Sequence, residues 1–224
     1  MSSLPIRDQT KDHLITPENS AFVIIDYQPV QVNSIASMDR QLLINNIVGT
    51  VKMAKLYKLP IILSTVNVKT GLNFETIPQI RKEMSGIPSY DRTTINAWED
   101  AEFLKAVKDT GRKKLIMTAL WTEACLSFPT LDALKEGYEV YPVVDAVGGT
   151  SVSAHETALR RMEQAGAQLT STAQLYCELQ RDWARSETAP GFMQLFIDTG
   201  GTAGIQFSYD RSEKKKEPGV EKVN

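Results

Sequence analysis

The chain has 224 residues, and its 25 lysines and arginines against 27 aspartates and glutamates leave a formal net charge of -2. A balance this even argues against a nucleic-acid partner, which asks for a basic surplus, while 42% hydrophobic residues suit a single soluble domain with a full core. Charges at Arg7, Asp8, Lys11 and Asp12 interrupt any apolar run near the start, so neither a signal peptide nor a membrane span is expected, and two cysteines make no disulfide framework, which points to a reducing, cytoplasmic setting.

The first apolar segment, 21–26, reads as a strand ending in a carboxylate. A helix over 39–57 follows, with Asp39 as N-cap and Leu42, Leu43, Ile47, Val51 and Ala54 at helical spacing. A second strand, 60–67, leads into a long polar loop over 68–90 with one short helix around 78–84, a length that marks functional loops. Then come a helix over 100–110, a strand over 114–119, a helix over 122–136, a strand over 138–145, a helix over 153–164, a short strand over 167–170 and a helix over 172–185. Strands alternating with helices call for parallel pairing with both sheet faces covered, hence a doubly wound α/β fold. The whole chain reads as one domain: a core over about 15–185, a C-terminal extension over 186–210 that holds a short amphipathic helix over 189–197, and a flexible, solvated tail over 211–224 with its Lys214-Lys215-Lys216 run.

Chemistry concentrates at three places. Cys125 sits where a strand passes into a helix, and the unpaired amides of a first helical turn favour a thiolate there, so rapid alkylation below the usual thiol range of about 8.5 is expected. Asp26 ends the first strand, and ligands of open parallel sheets collect outside such strand ends. Arg92 leads an extended stretch after the long loop and supplies a fixed cation. Pro129 leaves two readings of the Cys125 turn: a helix beginning only near Phe128, or one beginning at Glu123 with Thr122 as N-cap and a kink at Pro129.

These segments resemble the isochorismatase-like cysteine hydrolases, and within them the YcaC-like branch. The resemblance rests on Val23-Ile24-Ile25-Asp26-Tyr27-Gln28, on Thr93 to Trp98 behind a basic residue, on Ala119-Leu120-Trp121-Thr122-Glu123-Ala124-Cys125 with Phe128-Pro129, on Gly137 to Ala146, on Ala165 to Leu169, and on Cys177 to Trp183. It covers about 15–185. It implies a six-stranded sheet in the order 3-2-1-4-5-6, and a triad of Asp26, Arg92 and Cys125 in which arginine stands where many members carry lysine. It also implies an oxyanion hole from the backbone amides of Ala124 and Cys125, a cis peptide before Thr122, homo-oligomers, and hydrolysis of a small amide or carbamoyl substrate through a thioester. It favours the second reading of Pro129.

Tyr27, Gln28, Asn96, Trp98 and Trp121 are candidates to line the pocket, with core packing as the competing role. Gln28 occupies the position where metal-binding relatives carry a ligand, and His13 and His155 lie far apart in the sequence, so no metal is expected. Gly148-Gly149 lacks the spacing of a dinucleotide loop, so no cofactor is expected. Cys177 reads as buried and inert. The competing function is a catalytically weak or inactive homo-oligomeric binding scaffold of the same fold, and a redox sensor ranks third because no resolving cysteine lies near Cys125 in the sequence.

Overall fold

The computed structural model describes residues 5–214. Five parallel strands, β1 (Ser20–Ile25), β2 (Ile61–Val66), β3 (Ser89–Arg92), β4 (Lys114–Ala119) and β5 (Glu139–Pro142), stand in the order β3-β2-β1-β4-β5. β1 is central and buried at every position, as an apolar strand covered on both faces must be. Its alternation divides the core. Phe22 and Ile24 pack with Leu43, Ile47, Leu175, Phe192 and Phe196 on one face; Val23 and Ile25 pack with Phe103, Val107, Ala133 and Met162 on the other.

The helices of the first layer are α2 (Arg40–Leu56), capped by the Asp39 side chain, α7 (Thr172–Gln180) and α8 (Ala189–Thr199). The second layer holds α4 (Ala101–Asp109), α5 (Ser127–Lys135) and α6 (Val152–Gln164). Short α1 (Pro29–Asn33) and α3 (Pro78–Glu83) follow β1 and β2, and α9 (Gly201–Lys214) closes the described chain. Among the described residues no helix is long and apolar enough to cross a membrane.

Several expectations need correction. The sixth strand is reduced to a single parallel bridge between Val143 and Thr170, although its segment still runs beside β5 with backbone bonds from Gln168 to Val140 and from Thr170 to Pro142. β3 begins inside the expected loop and ends, rather than starts, at Arg92. α7 stops at Gln180, where Arg181 turns to φ 54 and its guanidinium reaches Asp12 at 2.6 Å and the Ile15 carbonyl at 3.0 Å. Cys177 is exposed, since α7 buries Leu175, Tyr176, Leu179 and Gln180 and so turns position 177 outward. Residues 211–214 belong to α9 rather than to a tail; the remainder of that expected tail lies outside the described residues.

Candidate active site

Chain connectivity runs from β1 outward to β2 and β3, then returns to β4 on the other side, so the switch point lies between β1 and β4. Asp26 follows β1 directly, with a left-handed backbone at φ 61. That conformation costs a non-glycine residue on the order of 1 kcal/mol and is held by its surroundings; here the Asp26 amide donates to the Ser64 carbonyl at 3.0 Å.

Arg92 lies two strands away and crosses the end of β2 to reach the acid. Its guanidinium grips both Asp26 oxygens, Nη1 to Oδ1 and Nη2 to Oδ2, each at 2.7 Å. Further bonds run to Ser64 Oγ at 3.0 Å, the Thr65 carbonyl at 3.1 Å and the Ile95 carbonyl at 3.2 Å. Both side chains of the pair are fully buried. Such a fork is available to arginine and not to lysine.

Cys125 arrives from the far side of the switch point. After β4 the chain forms a π-helical turn, Thr122–Leu126, with Trp121 at its cap, and only then the regular α5. Pro129 therefore sits in the first turn of α5, where a missing N–H loses no helical partner. Neither reading of the proline was complete: the helical turn does begin before Cys125, yet Thr122 is not its cap and Pro129 does not kink a continuous α-helix. The cis peptide falls at Leu120-Trp121, one residue earlier than expected.

Cys125 is 7% exposed, and its thiol and the Asp26 carboxylate lie near enough to shift each other's protonation. Burial, then the charge of Asp26, push the thiol up to about 12, against Arg92 and the Trp121 amide, which favour the thiolate. The expected low-pKa thiol is thus corrected: oriented amides are present, but desolvation and a neighbouring carboxylate outweigh them. Burial also pushes Asp26 up, against the pull of Arg92. Burial works against the Arg92 charge as well, but its pairing with Asp26 prevails and the guanidinium stays charged.

The structure does not bring every candidate to this cleft. Tyr27 is fully buried and donates its hydroxyl to the Ala146 carbonyl, so it packs the core. Gln28 is equally buried and spends its amide on the end of β2 and the loop after it: Oε1 accepts from Val66 N at 3.0 Å, and Nε2 donates to the Val66 carbonyl at 3.0 Å and the Phe74 carbonyl at 2.6 Å. Asn96 caps the short turn Ala97–Glu99 and donates to Asp132 at 2.7 Å, and Trp98 packs edge-on against Tyr138. Trp121, half-buried, is steadied by a 2.6 Å bond from Nε1 to Ser34 Oγ. The Ala124 amide is engaged with the Trp121 carbonyl at 3.2 Å. Among the described residues no group of three or more histidines, cysteines and acids is arranged to hold a metal.

Sequence reasoning missed the partners of the nucleophile turn. Thr122 Oγ1 lies 2.8 Å from His155 Nδ1, and Glu123 accepts from Thr150; the adjacent Gly148-Gly149 pair was the signal available.

The isochorismatase domain pattern matches residues 20–174. The probable hydrolase YcaC of Escherichia coli K12 is 34% identical over 210 residues, 92% of this chain and 100% of the relative. Among solved structures, Escherichia coli YcaC, an octameric hydrolase of unknown specificity, superposes with TM-score 0.83 at 31% identity, covering 91% of this chain and 97% of that one. YcaC from Pseudomonas aeruginosa, solved with hexane-2,5-diol and covalent acrylamide, gives TM-score 0.83 at 30% identity over 91% and 98%. With a domain pattern spanning more than half of its length and a relative matched from end to end, the chain belongs to the isochorismatase family of hydrolases.

Proposed function

We infer that this hydrolase is a cytoplasmic amidase-type enzyme, acting on a small amide or carbamoyl compound through a Cys125 thioester. The observation that carries the reading is a buried thiol beside a buried carboxylate that a bidentate arginine fixes in place. With its pKa pushed up, Asp26 is a stronger base than an ordinary aspartate. As substrate displaces water, Asp26 takes the thiol proton while Sγ bonds to the carbonyl carbon. The oxyanion is met by the Cys125 amide and by the Ala124 amide once it leaves the Trp121 carbonyl. Collapse breaks the C–N bond, and the leaving amine takes the proton from Asp26. Water then attacks the thioester, gives its proton to Asp26 and frees the acid, and that proton returns to sulfur. Arg92 keeps its proton throughout and serves as a fixed charge. Trp121 is left as the pocket-lining candidate.

The covalent acrylamide of the Pseudomonas relative supports a nucleophile in that protein; the side chain in this chain able to answer such an electrophile at the site is Cys125. Ammonia release from a panel of primary amides and ureides tests the reading. Cys125→Ala is expected to lose roughly a thousand-fold or more in kcat/KM; equal rates would end the thioester route. The raised thiol also suits the second reading, a weak or inactive scaffold, and a panel with no turnover at any pH would favour it.

The same reading includes a homo-oligomer, as the Escherichia coli relative is an octamer. Support comes from the C-terminal extension: Ile205 and Tyr209, one helical turn apart on α9, are 72% and 61% exposed.

A further inference from the structure

The Gly148 to His155 segment, which the catalytic steps leave unused, grips the turn before Cys125 at every residue it meets. Leu120 forms a parallel bridge to Gly148, and the Thr122 amide donates to the Gly148 carbonyl at 2.9 Å. Thr122 Oγ1 meets His155 Nδ1 at 2.8 Å. Glu123 Oε1 accepts from the Thr150 amide at 3.0 Å and the Thr150 hydroxyl at 2.6 Å. The segments approach closely at Gly149, where a Cβ would lie 2.6 Å from Glu123 Oε2 and 3.0 Å from His155 Cβ, so that a larger residue would displace the Glu123 carboxylate.

A π-helical turn has one residue more than an α-turn needs and is rarely stable without external support, which is why such turns concentrate at functional sites. Here the support is placed two and three residues before the nucleophile. We propose that His155 and Thr150 are positioning residues, which hold Thr122 and Glu123 so that the turn presents the Cys125 sulfur to Asp26. The inference rests on Cys125 as the nucleophile. Burial lowers the His155 pKa, against the pull of Glu123 and Glu156, which favours the neutral imidazole in the bond between Nδ1 and the Thr122 hydroxyl.

A released turn frees the sulfur from its dry seat beside Asp26, where it is protonated and useful, and lets it swing toward water. Non-specific reactivity then rises as catalytic competence falls. The test is iodoacetamide alkylation at pH 8 of full-length protein in a Cys177→Ser background, followed by mass spectrometry. His155→Ala is expected to alkylate about three-fold faster or more, with Thr150→Val shifted the same way, while His155→Asn, whose amide reproduces the Nδ1 position, returns to within about two-fold of the parent. Thermal melts taken alongside identify any variant that has not folded, and the comparison then passes to the remaining arm. Alkylation of both folded arms at the parental rate, or His155→Asn as fast as His155→Ala, would overturn the proposal. Amide hydrolysis indifferent to Cys125→Ala would instead sink the thioester route and leave the alkylation comparison intact.

Discussion

Asp26 serves two partners whose demands differ. Its carboxylate raises the Cys125 pKa by its charge, yet it is the group that must take the thiol proton. With the thiol near 12, the thiolate fraction grows about tenfold for each pH unit below that value, so alkylation of resting enzyme should climb steadily from pH 7 to 10 without a plateau. Asp26→Asn removes the negative neighbour and leaves Arg92 and the Trp121 amide, both of which favour the thiolate. Its alkylation at pH 8 should therefore be faster, by roughly tenfold, while amide hydrolysis falls at least about a hundred-fold for want of a base. An Asp26→Asn protein that is folded by circular dichroism and alkylates no faster than wild type would contradict this assignment of charges. The candidate positions were legible in the sequence, Asp26 from the strand it ends and Cys125 from the passage of strand into helix, with Arg92 joined to them as a triad only by the family resemblance. Their protonation was not, since a pKa depends on burial and on distances across the fold: the helix-start argument for Cys125 had the amides right and the solvent wrong.

Elements were easiest to read where a side chain marks their ends. Asp39, Asp100, Ser151 and Ser171 each cap a helix through their own oxygens, and the starts of the helices they open fall within a residue or two of the periodic pattern. Ends fixed by distant partners were not readable: at the stop of α7, Arg181 reaches Asp12 from the other end of the core. Loop 67–77 is the same case, because its anchor lies on another element. Gln28 holds it through the Val66 backbone and the Phe74 carbonyl, and Asp91 holds its start through the Val68 and Lys69 amides at 3.0 and 2.9 Å. Gln28→Ala leaves Asp91 in place and cuts the far anchor, so limited proteolysis should nick the loop between Lys69 and Phe74 several-fold faster, with an unchanged circular dichroism spectrum. Unaltered cleavage would mean that Asp91 and the loop's other bonds, such as Asn73 to Gln31 and the Ile77 amide to the Tyr27 carbonyl, carry it without Gln28.

At the scale of the whole molecule, α9 holds to the domain through α8, where Gly204 lies so close to the Phe196 carbonyl that a Cβ there would run into its oxygen. Phe207 packs its ring 5.6 Å from Phe196 and 6.1 Å from Trp183, and Arg211 donates to Gln194 at 2.8 Å, while Ile205 and Tyr209 face outward. α8, in contrast, contributes Phe192, Leu195 and Phe196 to the core. A truncation therefore separates stability from assembly if it falls between the two helices. Deleting residues 201–224 removes the burial of Phe207, up to about 2 kcal/mol, which for a chain of this length lowers Tm by about 4–8 °C and leaves a folded domain. The outer face of α9, with Ile205 and Tyr209 turned to solvent one turn apart, is the surface that a second copy would bury. Sedimentation of the truncated chain should accordingly show a smaller particle than the full-length protein at equal concentration. An unchanged particle mass would move the subunit contact elsewhere on the surface and leave α9 without an assembly role.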